Sequence, residues 1–263
     1  MPIRRSSDGL TYHEPSDTLT KYLRTLRKIA EVWHGGQRPS NRLWFRGHGD
    51  TQWTLTPSVY RETYARFSED QCRADFMLRA FPYLSGTARE PTSDWEWYFI
   101  MQHHGLPTRL LDWTENPLVA LYFALRDRKP DEQPAVWILD PSRLNAFVAK
   151  LGDFVLVPGD PALQKYLPRP SAGDELPEAP VALQPPHKSQ RLTAQKGTFT
   201  LHGCDRRSLH DHIGLREHLV KIELRADKLP QMKRDLAAAG VTETTVFPEL
   251  PALCRELLEH WSG

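Results

Sequence analysis

Residues 41–61 read NRLWFRGHGDTQWTLTPSVYR and begin with an apolar run at 43–45. The run ends at Arg46, and glycines that permit bending and close ligand approach follow at 47 and 49. This pattern predicts a short buried strand that enters a tight turn. The Arg46 guanidinium then needs a carboxylate, a carbonyl or a ligand phosphate, because an unpaired buried charge is very costly. A structural ion pair and a ligand contact are both open for Arg46.

The composition is that of an ordinary globular protein, with 40% hydrophobic and 25% charged residues. A chain of 263 residues can form one large domain or two small ones, with a sizeable core. Its 34 Lys and Arg residues nearly balance its 33 Asp and Glu residues. The net charge therefore gives no evidence for a globally basic nucleic-acid-binding protein, although a local basic groove stays open.

Cysteine number and hydropathy bear on the compartment of the cell. The three cysteines lack the paired spacing of a disulfide framework or a zinc site, which fits a reducing cytoplasm. No apolar run approaches the length of a membrane span, and the N-terminal segment MPIRRSSDGL lacks the apolar core of a signal peptide. We therefore expect a cytoplasmic protein without a membrane partner.

Local patterns predict helices and short strands that do not alternate regularly. A loose arm at 1–15 precedes the elements, and the proline-rich residues 152–190 predict an extended excursion over the surface, either a lid or a variable insertion. Helices are expected at 17–34, 61–83, 94–104, 117–127, 142–151, 227–239 and 251–261. Strands are expected around Arg46, at 106–112 and 134–140, within 191–202 where a turn leads into a strand, at 218–224 and at 244–247.

These elements indicate the fold class. Strict alternation of strands and helices is absent, so a doubly wound parallel sheet is not expected. We predict an α+β fold, a single compact domain with a split or mixed β-sheet flanked by helices. An arm and a helix at 1–40 would precede the main domain at 41–263.

Several standard active-site motifs are missing from the sequence. It contains no P-loop, no glycine-rich dinucleotide fingerprint after a strand and no nucleophile elbow. His103 and His104 are adjacent on a predicted helix and do not face one another, which argues against a two-histidine metal site. The later histidines, with His210-x-His212 among them, favour an exposed loop over metal binding.

Four blocks in the expected order resemble the FRG domain family, which is named for a Phe-Arg-Gly signature. The blocks extend from about Arg42 to about Leu258 and read LWFRGHGD, MQHHGLPTRLLDWTENPLVALYFAL, RLTAQKGTFTLHG and VFPELPALCRELL. The resemblance implies an FRG domain over residues 41–263, with the proline-rich segment as an excursion from it. The family name describes a signature and not a reaction.

The same blocks resemble, less closely, the ADP-ribosyltransferase superfamily. Members commonly have an aromatic-Arg-Gly strand end, here 45–47, then a helix reading Pro-x-x-Ala-x-x-Phe-Ala, here 117–124, and a late glutamate, here Glu249. This chain departs from the pattern at 110–114, where LLDWT replaces a Ser-Thr-Ser-like strand. Glu249 also lacks the usual Glu-x-Glu context. The first departure affects the residues that would contact nicotinamide, and the second affects the catalytic carboxylate.

This second resemblance implies a site that uses NAD as substrate and no metal. Arg46 would hold the pyrophosphate or ribose through its planar fork, and Glu249 would stabilise positive charge on the ribose. The implied catalytic residues are Glu249 and Arg46, and the implied NAD contacts are Arg46, Gly47, His48, His104, Thr108, Arg109, Asp112, Trp113 and Thr114. Several have a structural alternative: Trp113 as core, Glu249 at the start of helix 251–261, and Arg109 and Asp112 as partners of each other or of Arg46.

Two functions of different classes follow. The first is an NAD-dependent ADP-ribosyltransferase or NAD hydrolase, a bacterial toxin or anti-phage defence effector that modifies a protein or nucleic acid and can have an antitoxin partner. An acceptor surface would draw on the proline-rich segment together with Arg42, Arg46, Arg61, Arg206 and Arg207. The second is a non-catalytic module that binds a ligand or nucleic acid.

Overall fold

The structure is a computed structural model that describes residues 3–35, 43–84, 91–126, 128–129, 131–168, 175–187 and 189–262. Its strands are β1 Trp44–His48, β2 Leu110–Thr114, β3 Ala135–Leu139, β4 Val181–Leu183, β5 Gly197–Leu201 and β6 Leu219–Glu223. Its helices are α1 Leu19–His34, α2 Glu69–Arg79, α3 Asp94–His103, α4 Pro117–Arg126, α5 Pro141–Arg143, α6 Pro161–Gln164, α7 Gln190–Gln195, α8 Leu229–Ala238, α9 Glu243–Val246 and α10 Leu250–Ser262. Within these ranges, no helix is long and apolar enough to cross a membrane.

The six strands form one sheet in the order β4-β5-β2-β1-β3-β6, and the pairings between them are antiparallel. Three of the pairings, β1 with β3, β3 with β6 and β2 with β5, contain five residue pairs each. Strands β1 and β2 pair only at Phe45 and Thr114. Beyond this pair the two central strands form no further backbone pairing. We call this opening between β1 and β2, within the one sheet, the split. The α+β prediction is confirmed, and of the two expected sheet forms it is the split one.

The two faces of the sheet bury different apolar layers, because successive strand residues point to opposite sides. On one face Phe45 and Ile138 pack into the core shared with α1, α4 and α8. On the other face Trp44 and Trp137 pack with Leu144, which belongs to a π-helical turn after α5. Full burial of one such side chain stabilises the fold by about 1.5–3 kcal/mol.

The N-terminal arm is held along the edge of the sheet. Tyr12 N donates to Lys221 O at 2.8 Å, and Ser16 N donates to Glu223 O at 2.8 Å. Tyr12 and Ser16 are both buried. The expectation of a loose arm is wrong for the described part, because its backbone hydrogen bonds to the outer side of β6 that no other strand covers.

Gly47 allows β1 and α4 to approach each other closely. A Cβ atom at Gly47 would lie 2.0 Å from Ala120 O and 2.5 Å from Ala124 N, both backbone atoms of α4. The small residues Ala120 and Ala124 therefore face a strand position that has no side chain. The Phe-Arg-Gly stretch and the alanine-containing helix fit together as one packing unit, so the close approach predicted for a ligand is made by a helix.

We expect Gly47→Ala to lower the free energy of unfolding by about 3 kcal/mol, the upper part of the range for overpacked sites. The clash is with backbone atoms, which cannot rotate away as a side chain can. Urea denaturation would measure the loss. Gly9→Ala is the control, because Gly9 has a positive φ of 69° but no atom within 4 Å of the added Cβ. It should cost about 1–2 kcal/mol, and a cost for Gly47→Ala no larger than this would contradict the prediction.

Several element predictions need correction. Residues 244–247 form a strand in the sequence-based prediction, but Glu243–Val246 is helix α9, because Thr242 and Thr245 form a capping box that overrides the β-branched composition. The turn expected at the start of 191–202 is helix α7, Gln190–Gln195, which Ser189 caps. The strand expected at 106–112 begins only at Leu110 and continues to Thr114, two residues beyond the predicted end.

The proline-rich segment is also less peripheral than predicted. In its described parts, Leu156, Leu163 and Tyr166 are buried in an apolar cluster beneath α3 and β5. The same segment supplies β4, which is buried and pairs with β5. An excursion over the surface is therefore wrong for these parts, because they complete both the sheet and the core. Residues 169–174 and 188 lie outside the described ranges.

Candidate functional site

A cleft of about 860 Å³ opens where β1 and β2 lose their pairing. Its floor includes Arg46 and Asp112, and its walls are formed by residues of α3, α4 and α7. The volume lies within the roughly 300–1,000 Å³ typical of small-molecule sites. The split in the sheet therefore creates a concave site lined by both of the central strands.

Arg46 spans the split at the floor of the cleft. Its Nη1 donates to the backbone carbonyl of Asp112 at 2.6 Å, and its Nε donates to His48 Nε2 at 3.1 Å. The first bond joins β1 to β2 at a position where the backbone ladder is interrupted. The side chain thus bridges the two strands, and its half-buried guanidinium also lines the cleft.

His48 supports Arg46 from within the core. The ring is buried, and burial, followed by the charges of Arg46 and Arg61, lowers the pKa of His48 to about 2. The neutral imidazole accepts the Arg46 hydrogen bond through Nε2, which places its own proton on Nδ1. His48 therefore orients the arginine and does not line the cleft.

A hydrogen-bonded chain orients the carboxylate of Asp112. Gln102 Nε2 donates to Asp112 Oδ2 at 2.9 Å, and the hydroxyl of Thr108 donates to Gln102 Oε1. The threonine contact fixes which end of the amide faces the aspartate. Asp112 is the only exposed residue of β2, so its carboxylate is both held in place and open to the cleft.

Aromatic side chains form much of the apolar wall. Phe199 pairs with Asp112 across the β2–β5 ladder, and Phe99 of α3 stacks on Phe199 at 5.4 Å between ring centres and 11° between planes. Phe123 of α4 and Trp113 also line the cleft. Trp113 is buried and donates through Nε1 to Thr200 Oγ1 at 3.1 Å, so it acts mainly as core, as its structural alternative predicted.

Charged groups gather at one edge of the cleft. Arg191 of α7 lines the cleft and lies 3.9 Å from Glu249, measured from Nη1 to Oε1. The guanidinium of Arg191 also lies over the ring of Phe247, 4.8 Å from its centre. The pKa of His103, which lines the cleft, is lowered because desolvation and the charge of Arg191 disfavour the imidazolium. This edge therefore presents a neutral histidine beside an ion pair.

The structure brings together most of the predicted NAD contacts. Of the predicted contacts, six line the cleft: Arg46, Gly47, His104, Asp112, Trp113 and Thr114. His48, Thr108 and Arg109 are buried behind that lining. Glu249 lies beside the cleft, where its carbonyl accepts from Ala252 N at 3.0 Å at the start of α10. It follows helix α9, whereas the sequence predicted a strand at 244–247 before it.

Arg109 belongs to a buried network and not to the cleft surface. Its Nε donates to Glu69 Oε2 at 2.5 Å, and its Nη1 donates to His202 O at 3.1 Å. The hydroxyl of Tyr98 also donates to Glu69. The alternative that pairs Arg109 with Asp112 is therefore wrong, because Glu69 at the start of α2 holds the guanidinium. Asp112 instead accepts from Arg46 through its backbone carbonyl, as the other alternative predicted.

The site also includes residues that the sequence did not single out. Gln102 orients Asp112, Phe99 and Phe199 form the aromatic wall, and Arg191 carries the charge at the edge. Gln102 lies in the helix predicted at 94–104, and no pattern in the sequence marks it as a site residue. Arg191 lies where the sequence predicts a turn, so its position on a helix beside the cleft was not predicted.

The arginines of the predicted acceptor surface do not lie together, because Arg46 lines the cleft and Arg206 and Arg207 do not. Arg206 and Arg207 line a second concavity whose other residues include Glu178. Arg207 pairs with Asp205 at 2.6 Å, and Arg206 lies over the ring of Tyr60 at 5.4 Å. Arg61 donates through Nε to Thr56 O at 3.2 Å. Arg42 lies outside the described residues.

Two buried histidines make stability depend on pH. Burial lowers the pKa of His48 to about 2 and that of His202 to about 3, against about 6.5 in an unfolded chain. Below pH 6.5 the unfolded chain binds protons that the folded chain does not. The free energy of unfolding therefore decreases as the pH falls from about 6.5 towards 3. The decrease is up to about 1.4 kcal/mol per pH unit for each histidine.

We expect the free energy of unfolding to fall by about 2 kcal/mol between pH 6 and pH 5 from these two residues. Four more histidines, whose pKa values burial lowers as well, act in the same direction: His103, His210, His212 and His218. In His202→Asn the loss over this interval should shrink by about 1 kcal/mol. Urea denaturation of both proteins at both pH values gives the comparison, and identical losses would contradict the prediction.

The described residues contain no group of three or more His, Cys, Asp or Glu side chains that could hold a metal ion. The family model of the FRG domain matches residues 41–133. The match includes the blocks at 43–50 and 101–125, and with them β1, α3, β2 and α4, so the family resemblance is confirmed there. The later blocks, with α7 and Glu249, lie beyond it. No curated protein and no solved structure matches the chain significantly.

Proposed function

We propose that this chain with an FRG-domain match cleaves the nicotinamide–ribose bond of NAD, as an ADP-ribosyltransferase or an NAD hydrolase. The observation that carries the proposal is the cleft between β1 and β2, with Arg46 bridging its floor. The guanidinium is placed between two strands and beside open volume, where its planar fork can bind a pyrophosphate or ribose oxygen. The superfamily resemblance begins at the same arginine.

The charges around the cleft suit this reaction. Breaking the bond between ribose and nicotinamide develops oxocarbenium character on the ribose. A fixed carboxylate nearby lowers the energy of that positive charge. The carboxylate of Glu96 also lines the cleft, but it accepts from the backbone N and the hydroxyl of Thr92. The candidates are therefore Asp112 inside the cleft and Glu249 beside it. Aromatic rings such as Phe99 and Phe123 give the nicotinamide or the adenine an apolar surface for stacking.

The protein context that we propose is a bacterial toxin or anti-phage defence effector in the cytoplasm. The three cysteines are free, which suits a reducing compartment. The acceptor would be a protein or a nucleic acid, and an antitoxin would be a further partner. The mixed charges of the second concavity, with Arg206 and Glu178, do not favour either class of acceptor.

A binding module without turnover is the second candidate. The observation in its favour is that Arg46 already has two partners, His48 and the Asp112 carbonyl, and so acts at least in part as a structural bridge. Such a module would take NAD or another aromatic anion into the cleft and leave it intact.

Nicotinamide release from NAD by the purified chain tests the proposal, alone and with added cell protein, RNA or DNA. We expect release, transfer of labelled ADP-ribose to one added fraction and a rise in the melting temperature with NAD. Release without transfer would indicate a hydrolase. A thermal shift without release would support the binding module, and neither shift nor release would overturn the NAD assignment.

A further inference from the structure

We propose that Asp112, positioned by Gln102, is the catalytic carboxylate that faces the ribose, in place of Glu249. The inference rests on the proposed function, since it assigns a role in NAD cleavage. Asp112 lies on β2 at the floor of the cleft, and its side chain is the exposed one of the strand. Glu249 was expected to provide the carboxylate, but it lies between α9 and α10, immediately before the first residue of α10.

The two carboxylates differ in how they are held. The Asp112 carboxylate accepts a hydrogen bond from Gln102 Nε2 at 2.9 Å, and Thr108 anchors Gln102 from behind. The Glu249 carboxylate is about half exposed and lies 3.9 Å from Arg191, a cation that competes with a cationic ribose for the same charge. A preorganised group that need not rearrange stabilises a transition state more effectively than a mobile one.

Neighbouring groups fix the backbone of Asp112 as well. Arg46 Nη1 donates to its carbonyl at 2.6 Å, and the ladder to β5 pairs the residue with Phe199. Phe99 stacks on Phe199, so a flat aromatic wall stands directly beside the carboxylate. A ligand with a cationic pyridinium ring on a ribose suits this pairing of aromatic surface and negative charge.

The step balances as follows. The bond between ribose C1′ and the nicotinamide nitrogen breaks, and its electron pair goes to the nitrogen, which becomes neutral. The positive charge moves to the ribose, where the Asp112 carboxylate stabilises it without forming a bond. An oxygen of water or of the acceptor then adds to C1′ and releases its proton to solvent. Gln102 touches the carboxylate and not the ribose, so it is a positioning residue.

The test compares four variants in steady-state nicotinamide release. We expect Asp112→Asn to lower kcat at least 100-fold with KM for NAD changed less than threefold, and Glu249→Gln to lower kcat less than tenfold. Gln102→Met, which keeps the shape but loses the amide, should lower kcat about tenfold with KM held within twofold. Asp75→Asn, at an exposed carboxylate paired with Arg79 on α2, is the control and should match the wild type.

The outcomes separate the two proposals. If the wild type releases nicotinamide and Asp112→Asn keeps its kcat within threefold, or Glu249→Gln loses as much as Asp112→Asn, the carboxylate assignment is overturned and the NAD reaction stands. If the wild type releases none, both fall. If Gln102→Met instead raises KM about tenfold and leaves kcat unchanged, the glutamine acts on substrate binding and not through Asp112. Melting temperatures of each variant exclude unfolding as the cause.

Discussion

Glu69→Gln should lower the free energy of unfolding by about 3–5 kcal/mol, the range for breaking a buried ion pair. Glu69 and Arg109 are both buried, and their side chains lie 2.5 Å apart between Oε2 and Nε. Glu69 Oε1 also accepts from the backbone N of Arg109 at 2.8 Å and from the Tyr98 hydroxyl. A neutral amide leaves the guanidinium charged and uncompensated in the core.

The same network supports the cleft from behind. It joins the first turn of α2 to α3 and to the residue before β2, and Arg109 also donates to carbonyls of His202 and Tyr166. Loss of Glu69 should therefore loosen α3, which carries Gln102 and His103. Hydrogen exchange of α3 amides would report this local effect apart from global unfolding.

A double-mutant cycle in urea identifies the pair as the cause. Glu69→Leu with Arg109→Met should cost less than the sum of the two single changes, with a coupling energy of about 1–3 kcal/mol, because no charge is left unpaired. The control is Glu31→Gln, the same chemical change at an exposed pair with Arg27, which should cost less than about 1 kcal/mol. Similar costs for Glu69→Gln and Glu31→Gln would contradict the prediction.

Arg46→Ala should reduce kcat/KM for nicotinamide release by about 10²–10³-fold, the loss typical of removing one preorganised donor from an active site. The substitution removes the hydrogen bond from β1 to the Asp112 carbonyl and leaves His48 without its donor. It also removes the guanidinium from the cleft floor. Binding of a pyrophosphate or ribose and the position of β2 would both suffer.

Arg46→Lys separates charge from geometry. A lysine keeps the positive charge but has no planar fork, so it cannot contact Asp112, His48 and a ligand together. We expect it to recover less than a tenth of the lost kcat/KM. Assays are to be made at least 10 °C below the melting temperature of each variant. If turnover and NAD binding survive in Arg46→Ala while only the melting temperature falls, Arg46 is a structural bridge alone.

Local pattern predicted a large part of the fold. The apolar run before Arg46 is strand β1, the 134–140 pattern is β3, and Pro117 begins α4 as its position in the sequence indicates. Such patterns depend on neighbours within a few residues, which a single sequence displays. The errors arose where two local signals competed, as at 244–247, where β-branched residues predict a strand and the capping box at Thr242 specifies a helix.

The candidate site shows the same division. Arg46, Asp112 and Trp113 are among the contacts that the superfamily resemblance implies, and all three line the cleft. Gln102 was missed, since its role depends on an aspartate ten residues later that only the fold brings within 2.9 Å. Arg191 was missed as a cleft residue because α7 packs against a distant part of the chain.

The sequence by itself determined the α+β class and the family resemblance, and it fixed a residue without a side chain at Gly47. That Ala120 and Ala124 pack against this glycine was decided by the tertiary structure. Tertiary structure alone decided what each polar group contacts. Arg109 finds Glu69 forty residues away and becomes core, whereas Asp112 stays exposed because β1 and β2 pair only once. Burial and strand pairing are properties of the whole chain, so no local pattern could distinguish the buried arginine from the exposed aspartate.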